Sequence, residues 1–244
     1  MYPYHFHMKI SFVIPAYNEE KTIVECIKSL QEEIARSGVE AEIIVANNNS
    51  TDRTALTAEQ ASARVVLAEQ KGVVFARQNG FEAATGEYVA QIDADNRVEP
   101  GWIDVGLREF QRDPRTVVVS GPYRFYDLPF TQELTCYAFT GIISWIVHRI
   151  LPSIFGGNSL IKRSALQKIG GYDLSLVFRG EDADLANRLS KVGRVKFTLS
   201  LIVHASGRRY AKNGIINTMY SDTVDYFTVG MFGKANPSLR PDVR

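Results

Sequence analysis

Two aspartates, Asp93 and Asp95, follow an apolar stretch that begins at Tyr88 and reads YVAQI. Strand residues two apart point the same way, so both carboxylates can reach one point beyond the end of a strand. Like charges this close raise a pKa unless a cation lies between them. Mg²⁺ suits such a place, because it takes one or two carboxylates and completes its shell with water and substrate phosphates. The pair therefore indicates metal-assisted phosphate chemistry, with a solvated loop as the alternative.

A second acid pair, Asp182 and Asp184, lies in the pattern RGEDADLANRL, which predicts a helix. Positions two apart on a helix face nearly opposite sides. Asp182 shares the apolar face with Leu185, and a carboxylate directed inward must be bonded or used. Asp184 lies on the other side and is predicted to pair with Arg188 one turn on. Asp182 is thus the candidate functional acid, the alternative being a residue that only complements the helix N-terminus.

Strands and helices alternate from Lys9 onward, which predicts an α/β fold with a mostly parallel sheet and right-handed crossovers. Ligands bind at the carboxyl ends of such strands. Asn18 is the predicted cap of the first helix, and Ser50 or Thr51 that of the second. Three polar segments follow successive strands: Pro15–Glu19, Asn47–Asp52 and Asp93–Asp95.

Composition is that of a globular protein: 244 residues, 45% hydrophobic and 23% charged, enough for one large α/β domain. Cys26 and Cys136 form neither a disulfide framework nor a metal knuckle, so a reducing, cytoplasmic compartment is expected. Residues 1–8 lack the basic start and apolar run of a signal peptide, and no stretch reaches the ~20 apolar residues of a membrane span.

The net charge of +1 hides an asymmetry along the chain. The first 184 residues hold 18 Lys and Arg against 24 Asp and Glu, whereas residues 185–221 hold seven basic residues and no acid. A one-sign segment favours an anionic partner such as phosphate or a lipid surface, with a solvated basic face as the alternative. Nucleic acid is not expected, because aromatics are not interleaved with these bases.

Residues 122–155 are rich in aromatics, and Cys136–Leu151 within them reads as a helix that is apolar almost all round. Thr140, Ser144 and His148, spaced by four, form its narrow polar stripe. Three placements stay open: burial in the core, pairing with a second subunit in a homodimer, or a position in the interface of a membrane.

Five motifs in order, IPAYNEE, NNNSTDRT, KGVVFARQNG, QIDAD and GED, resemble glycosyltransferase family 2 and its GT-A type of fold. The resemblance covers residues 9 to about 210 and implies a single domain spanning 1–244. It divides the chain into a nucleotide-sugar-binding half (9–121), an aromatic helical insertion (122–155), an acceptor and catalytic half (156–210) and a helical tail (211–244).

The resemblance implies an inverting transfer of a sugar from a nucleotide diphosphate to a saccharide or lipid-linked acceptor, with Mn²⁺ or Mg²⁺ as cofactor. Asp182 would be the general base, supported by Glu181. Asp93 and Asp95 would bind the metal, with His204 as a third ligand that suits Mn²⁺. The donor would meet Pro15, Tyr17, Glu19, Asn48, Asp52, Arg77, Asn79, Asp93, Asp95, Gly157, Asn158, Arg208 and Arg209.

One departure affects the nucleotide. The family usually has two acids where this chain has Asn47 and Asn48, and the second helps to read the base. Uridine is the favoured base, and guanosine stays open. The Gln-x-x-Arg-Trp signature of processive synthases is absent, which favours transfer of one sugar. Two rival functions remain: an inactive nucleotide-sugar-binding homologue, and a nucleotidyltransferase, which would normally show an early Gly-rich basic loop.

Overall fold

A seven-stranded sheet forms the centre of the computed structural model, which describes residues 9–176 and 180–232. The strands of this sheet and of a smaller, three-stranded one are β1 Lys9–Ala16, β2 Glu40–Asn47, β3 Arg64–Leu67, β4 Tyr88–Ile92, β5 Arg97–Val98, β6 Thr116–Ser120, β7 Tyr123–Phe125, β8 Asn158–Lys162, β9 Arg194–Phe197 and β10 Val203–Ala205. The helices are α1 Ile23–Ser37, α2 Thr54–Gln60, α3 Val73–Ala83, α4 Trp102–Arg112, α5 Phe130–Tyr137, a π-helical segment Ala138–Ile143, α6 Ser144–Val147, α7 Arg163–Lys168, α8 Glu181–Ser190, α9 Arg208–Asn213 and α10 Ile215–Phe232.

The large sheet has the order β3-β2-β1-β4-β8-β6-β9. Only β8 runs antiparallel to its neighbours, so the predicted mostly parallel sheet is confirmed. A small second sheet, β5-β10-β7, lies beyond the end of β4. The carboxyl ends of β1, β2 and β4 meet at one edge, which brings the three polar segments together.

Alternation along β1 explains why helices cover both faces of the sheet. Phe12 and Ile14 pack with Ile27 of α1, whereas Val13 points to the other face and packs with Val74 of α3. Full burial of one such side chain stabilises the fold by about 1.5–3 kcal/mol. The two apolar layers hold the polar strand ends in fixed positions.

The predicted helix caps are wrong, because α1 begins at Ile23 and α2 at Thr54, downstream of the proposed capping residues. The loops bond to each other instead. The backbone N–H of Asn18 donates to Ser50 Oγ (3.0 Å), and Asn18 Oδ1 accepts from the N–H of Thr51 (2.8 Å). These bonds tie the end of β1 to the end of β2.

In the aromatic insertion, polar side chains face the protein and apolar side chains face outward, the reverse of a helix that packs against a core. Helical structure begins at Phe130, six residues before the predicted start, and includes the π-helical segment. The polar stripe faces inward: Thr140 is 2% exposed, and its hydroxyl donates to Tyr123 O (3.2 Å). Ile146 and Ile150 are 51% and 83% exposed. Burial of the apolar side in the core of the chain is therefore excluded as its role.

The basic segment does not form one positive surface. Arg188 pairs with Asp184 (2.6 Å), and Arg194 pairs with Asp113 (2.9 Å). Lys196 lies 3.7 Å from Glu109. Arg208 and Arg209 also bind carboxylates, so the bases of the second half largely neutralise acids brought to them by the fold.

Within the described ranges, every helix is too short or too polar to cross a bilayer. In the predicted tail, α10 extends from Ile215 to Phe232. The expectations for residues 1–8 and for the tail beyond 232 lie outside the described residues.

Candidate active site

A cleft lies at the carboxyl ends of β1, β2 and β4, and Arg208 of α9 covers its mouth. Because the three loops meet there, the cleft collects most of the predicted donor contacts. Those that line it are Pro15, Tyr17, Glu19, Asn48, Asp93, Asp95 and Arg208.

Arg77 of α3 lies beneath the cleft, 3% exposed, and bonds three carboxylates. It donates to Asp182 Oδ1 (2.8 Å), to Glu181 Oε1 (3.2 Å) and to Asp93 Oδ1 (3.3 Å). Burial alone would lower the pKa of Arg77, but the three acids raise it well above its ordinary value. The guanidinium therefore stays charged and joins α8 to the end of β4. We call Arg77 with these three acids the inner cluster.

Two glycines make room for the inner cluster. A Cβ on Gly156 would lie 2.2 Å from Asp182 Oδ1, and one on Gly157 would lie 2.2 Å from Asp93 Oδ2. The N–H of Gly156 also donates to Asp182 Oδ2 (2.8 Å). Gly157, a predicted donor contact, thus brings its backbone close to the protein's own carboxylates.

The predicted direction of Asp182 needs correction. Its side chain is 32% exposed and lies on the cleft side of α8, whereas Leu185 and Leu189 fill the core. The helix begins with Glu181, so Asp182 stands in its first turn and meets Arg77 rather than apolar residues. The predicted pairing of Asp184 with Arg188 is confirmed.

A second guanidinium, that of Arg208, closes the cleft from the opposite side. Its Nη1 donates to Glu19 Oε2 (2.9 Å), its Nη2 bonds Glu19 Oε1, and Nη2 lies 3.2 Å from Asp95 Oδ2. These bonds to Glu19 raise the pKa of Arg208. Its side chain is 49% exposed. We call Arg208 with Glu19 and Asp95 the outer cluster.

Asn48 is held by backbone groups on all sides. Its Nδ2 donates to Ala68 O (3.0 Å) and to Gln70 O (2.5 Å), and its Oδ1 accepts from the N–H of Gly72 (2.8 Å). Both amide hydrogens are thereby used, while Oδ1 retains a second lone pair. Asn48 can accept one more hydrogen bond from a ligand in the cleft, and it has no hydrogen left to donate.

Asn158 was predicted to contact the donor, but it is fully buried and bonded within the protein. Its Nδ2 donates to Leu201 O (2.8 Å) and Pro122 O (3.0 Å), and its Oδ1 accepts from Trp102 Nε1 (2.8 Å). Unpaired buried amides are costly, so these bonds hold the side chain in the core. Asn158 joins β8 to neighbouring loops.

Three further predicted contacts lie away from the cleft. Asn79 donates to Phe75 O one turn back on α3 (2.9 Å). Asp52 accepts from the N–H groups of Glu20 (3.2 Å) and Thr54 (2.9 Å), and so supports the loops. Arg209 pairs with Asp222 of α10.

The predicted metal set of Asp93, Asp95 and His204 is not assembled. Residues 9–176 and 180–232 contain no group of three His, Cys, Asp or Glu side chains placed to hold a metal. His204 lies in β10 opposite Arg97, with its strand neighbours Val203 and Ala205 buried. The two aspartates remain as candidate ligands.

The charges around the cleft nevertheless fit a divalent cation. Five carboxylates belong to the two clusters, against the side-chain cations of Arg77, Arg208 and Lys71. This leaves an excess of two negative charges. Asp93 and Asp95 supply oxygen donors, which Mg²⁺ and Mn²⁺ prefer.

Two residues near the cleft were not predicted as site residues. Lys71 lines it, with Nζ 6.0 Å from the centroid of the Tyr17 ring. Its position in the loop between β3 and α3 was a usable signal. The Tyr123 hydroxyl lies beside Gly157 and Asp93, and burial raises its pKa well above the ordinary value. No sequence pattern pointed to Tyr123.

Known proteins resemble this chain in sequence. Residues 11–170 match the profile of glycosyl transferase family 2. The probable glycosyltransferase YdaM of Bacillus subtilis (strain 168) is 28% identical over 204 residues, which are 76% of this chain and 47% of that protein. The poly-beta-1,6-N-acetyl-D-glucosamine synthase of Staphylococcus epidermidis is 27% identical over 179 residues, 69% of this chain and 43% of the synthase. The chain spans less than half the length of these curated relatives.

Solved structures resemble it in fold. The mannosyltransferase PcManGT from Pyrobaculum calidifontis, in complex with GDP-Man and Mn²⁺, has a TM-score of 0.69 at 21% identity, covering 96% of this chain and 67% of that one. Glucosyl-3-phosphoglycerate synthase from Mycobacterium tuberculosis, in complex with Mn²⁺ and UDP-glucose, has a TM-score of 0.65 at 20% identity, covering 94% and 81%. The fold is thus of the predicted GT-A type. With the profile matching well over half of its residues, the chain belongs to glycosyl transferase family 2.

Proposed function

We propose that the cleft binds a nucleoside diphosphate sugar and that the protein transfers one sugar, with inversion, to a saccharide or lipid-linked acceptor. The observation that carries the proposal is the inner cluster. One guanidinium contacts both Asp93, at the end of β4, and Asp182, at the start of α8, with distances of 3.3 and 2.8 Å. A donor-side acid and a candidate base are therefore held in fixed relation, as a displacement reaction requires.

Asp93 and Asp95 would hold Mn²⁺ or Mg²⁺, which supplies neutralisation of the charge on the leaving diphosphate. Lys71 and Arg208 would donate to the phosphate oxygens from the sides of the cleft. Charge-assisted bonds from fixed cations are worth most where charge develops, because they need little reorganisation during the reaction.

Asp182 would act as general base toward an acceptor hydroxyl. Each of its oxygens already accepts one bond, from Arg77 and from the Gly156 N–H, which fixes the carboxylate plane and leaves lone pairs toward solvent. The acceptor oxygen bonds the anomeric carbon as the bond to the diphosphate breaks, and Asp182 takes the hydroxyl proton. Attack opposite the leaving group inverts the anomeric centre.

This role predicts that Asp182→Asn lowers turnover by about 10²–10⁴-fold while donor affinity stays nearly unchanged. Asp184→Asn is the matched control, because Asp184 binds Arg188 on the far side of the same helix. Donor hydrolysis and transfer rates would be measured with Mn²⁺, together with nucleotide binding by calorimetry. Near-native turnover of Asp182→Asn would refute the role. Nucleotide binding without any turnover in the unchanged protein would instead support the inactive-homologue alternative.

The proposal for the nucleotide base follows from Asn48, whose Oδ1 can accept one further hydrogen bond. Uracil and guanine can each donate a ring N–H to this position, whereas the corresponding ring nitrogen of cytosine or adenine is an acceptor and leaves only the exocyclic amino group as a donor. We therefore propose UDP or GDP as the leaving group, and the motifs that carry the family resemblance favour uridine. Calorimetry in Mn²⁺ should give UDP at least a tenfold advantage over CDP and ADP, about 1.4 kcal/mol. Equal binding of all four nucleotides would contradict this proposal.

A further inference from the structure

Exposed apolar side chains are concentrated on two helical segments. Among the described residues, nine of the fourteen large hydrophobics that are strongly exposed belong to residues 130–151 or to α10. Phe130 and Ile150 are 76% and 83% exposed on the first segment, and Ile216 and Tyr220 are 82% and 70% exposed on the second. Contiguous exposed apolar surface marks an interaction site. We call the exposed sides of these two segments the apolar face.

The two segments are joined near both of their ends. At one end, Cys136 is buried in a cluster with Tyr210, against which Ile215 and Met219 of α10 pack. At the other end, the Tyr226 hydroxyl donates to Pro152 O and lies 3.0 Å from Ser153 Oγ. The apolar face therefore draws residues from both segments.

The polar stripe of residues 130–151 is directed inward and its apolar side outward. The Ser153 N–H donates to His148 Nδ1 (3.1 Å), and Thr140 bonds the backbone of β7. The same composition turned over would bury the isoleucines and hydrate the polar groups. The observed orientation is favourable only where an apolar medium covers the outside.

The apolar face borders the acceptor side of the active site. Tyr226 packs against Leu176 and Ala183, and Ala183 follows Asp182 in α8. Phe227, 38% exposed, is in edge contact with the Tyr226 ring. Burial raises the pKa of the Tyr226 hydroxyl, and the Asp182 carboxylate acts in the same direction, which places Tyr226 near the candidate base.

The charged residues near the apolar face favour anionic lipid as its partner. The sole acid of residues 130–151, Glu133, is buried and bonded to Arg124, so the exposed side of this segment carries no negative charge. The two acids of α10, Asp222 and Asp225, are half-buried, and Asp222 pairs with Arg209. Arg149 lies over the Trp145 ring at 3.8 Å. The exposed Lys212 lies in α9, just before α10 begins. Neither cation forms an ion pair within residues 9–176 and 180–232. A symmetric pair of copies would place these cations against each other, whereas anionic lipid attracts them by about 1 kcal/mol each.

We propose that the apolar face inserts into the interfacial layer of an anionic bilayer, and that the bilayer presents a lipid-linked acceptor to Asp182. The bilayer contact stands on the apolar face alone. The acceptor class rests on the proposed function.

The test is flotation of the full chain with vesicles of phosphatidylcholine and phosphatidylglycerol in a 3:1 ratio, at low salt. The double variant Ile146→Glu/Ile150→Glu should lower the bound fraction at least tenfold. The control is Leu56→Glu/Leu67→Glu, which changes two exposed leucines of α2 and β3 outside the apolar face and should float normally. Circular dichroism checks that each variant is folded. Arg149→Gln/Lys212→Gln should reduce the gain from phosphatidylglycerol over pure phosphatidylcholine.

The proposal is overturned if the unchanged protein stays unbound, or if the Ile146→Glu/Ile150→Glu variant floats as well as the control. A dimer in sedimentation equilibrium that this variant dissociates, without flotation, would identify a second copy as the occupant and also overturn it. Calorimetry with UDP separates the two proposals: nucleotide binding without flotation removes the bilayer contact, and flotation without nucleotide binding removes the proposed function.

Discussion

The inner and outer clusters use the same side-chain chemistry in different surroundings. Arg77 is 3% exposed and bonds acids from β4 and α8, whereas the Arg208 side chain is 49% exposed and bonds acids from two loops at the cleft mouth. Water cannot replace the partners of Arg77, but it competes for those of Arg208. The buried guanidinium therefore fixes geometry, and the exposed one is free to exchange partners.

The partners of Arg208 sharpen the contrast. Asp95 and Glu19 are the acids proposed to meet the cation and the nucleotide, so ligand binding must compete with Arg208 for them. Asp93 of the inner cluster can meet the cation through Oδ2 while its Oδ1 keeps the bond to Arg77, and Glu181 and Asp182 keep theirs. One cluster is thus a permanent part of the fold, and the other is rearranged by the ligand.

The largest expected effect is that of Arg77→Met, which leaves three acids close together without their cation. Removing one partner of a buried charge cluster costs roughly 3–5 kcal/mol. Urea unfolding measures this loss, and turnover should fall with it. Arg77→Lys is the control, because it keeps the charge and loses the fork geometry. An Arg77→Met protein of unchanged stability would show that the two clusters do not differ.

A smaller loss is expected for Gly156→Ala, whose Cβ would meet Asp182 Oδ1 at 2.2 Å. Overpacking typically costs about 1–3 kcal/mol, and the displaced carboxylate should lower turnover more than donor affinity. Gly141→Ala serves as control, since its Cβ would meet only ordinary contacts of 3.4 Å or more. Equal turnover of the two variants would show that Asp182 tolerates displacement.

Arg208→Met should leave the free energy of unfolding within about 1 kcal/mol, as for other exposed ion pairs. The substitution is expected to change the affinities for nucleotide and for Mn²⁺ in opposite directions. Nucleotide affinity should fall about tenfold, because a phosphate contact is lost, while Mn²⁺ alone should bind more tightly, because Asp95 no longer shares its charge with Arg208. Calorimetry with each ligand separately measures both. A fall in both affinities would indicate that Arg208, like Arg77, has a fixed structural role.

His148 extends the comparison to a half-buried base whose ring nitrogens lie within hydrogen-bond distance of the backbone nitrogens of Ser153 and Phe197 rather than of an acid. Burial lowers its pKa, with Lys196 and Arg194 acting in the same direction. The unfolded chain then binds more protons, so this stability is present above the unfolded pKa of about 6.5 and is lost as pH falls toward the folded value. We expect the free energy of unfolding to fall by less than about 1.4 kcal/mol per pH unit between pH 7 and 5.5. Urea midpoints for the unchanged protein and His148→Gln would measure it, and parallel curves would contradict it.

The strand ends could be predicted from the sequence because the alternation of apolar and polar residues and the positions of turn-forming residues are local properties. Asp93, Asp95 and Glu19 reach the cleft for that reason. Prediction from the sequence failed where the decisive partner is distant. Asn158 looks like a ligand contact beside two glycines, yet its amide is consumed by Leu201 O and Pro122 O, 43 and 36 residues away.

Helical periodicity had a related limit. It found the polar stripe Thr140, Ser144 and His148, but it could not say which side of the helix faces the protein. Arg208 and Arg209 are neighbours in sequence, yet one turns to Glu19 and the other to Asp222. Direction is set by tertiary packing, which the order of residues does not encode locally.

The π-helical segment Ala138–Ile143 accommodates one extra residue within a continuous helical run. Deleting one residue there would restore an ordinary helix and leave the residues that follow facing as they do now. Deleting one residue from α5 would instead rotate the helical residues that follow by about 100° and carry Thr140 away from Tyr123 O. Engineered length changes in the insertion should therefore be confined to the π-helical segment.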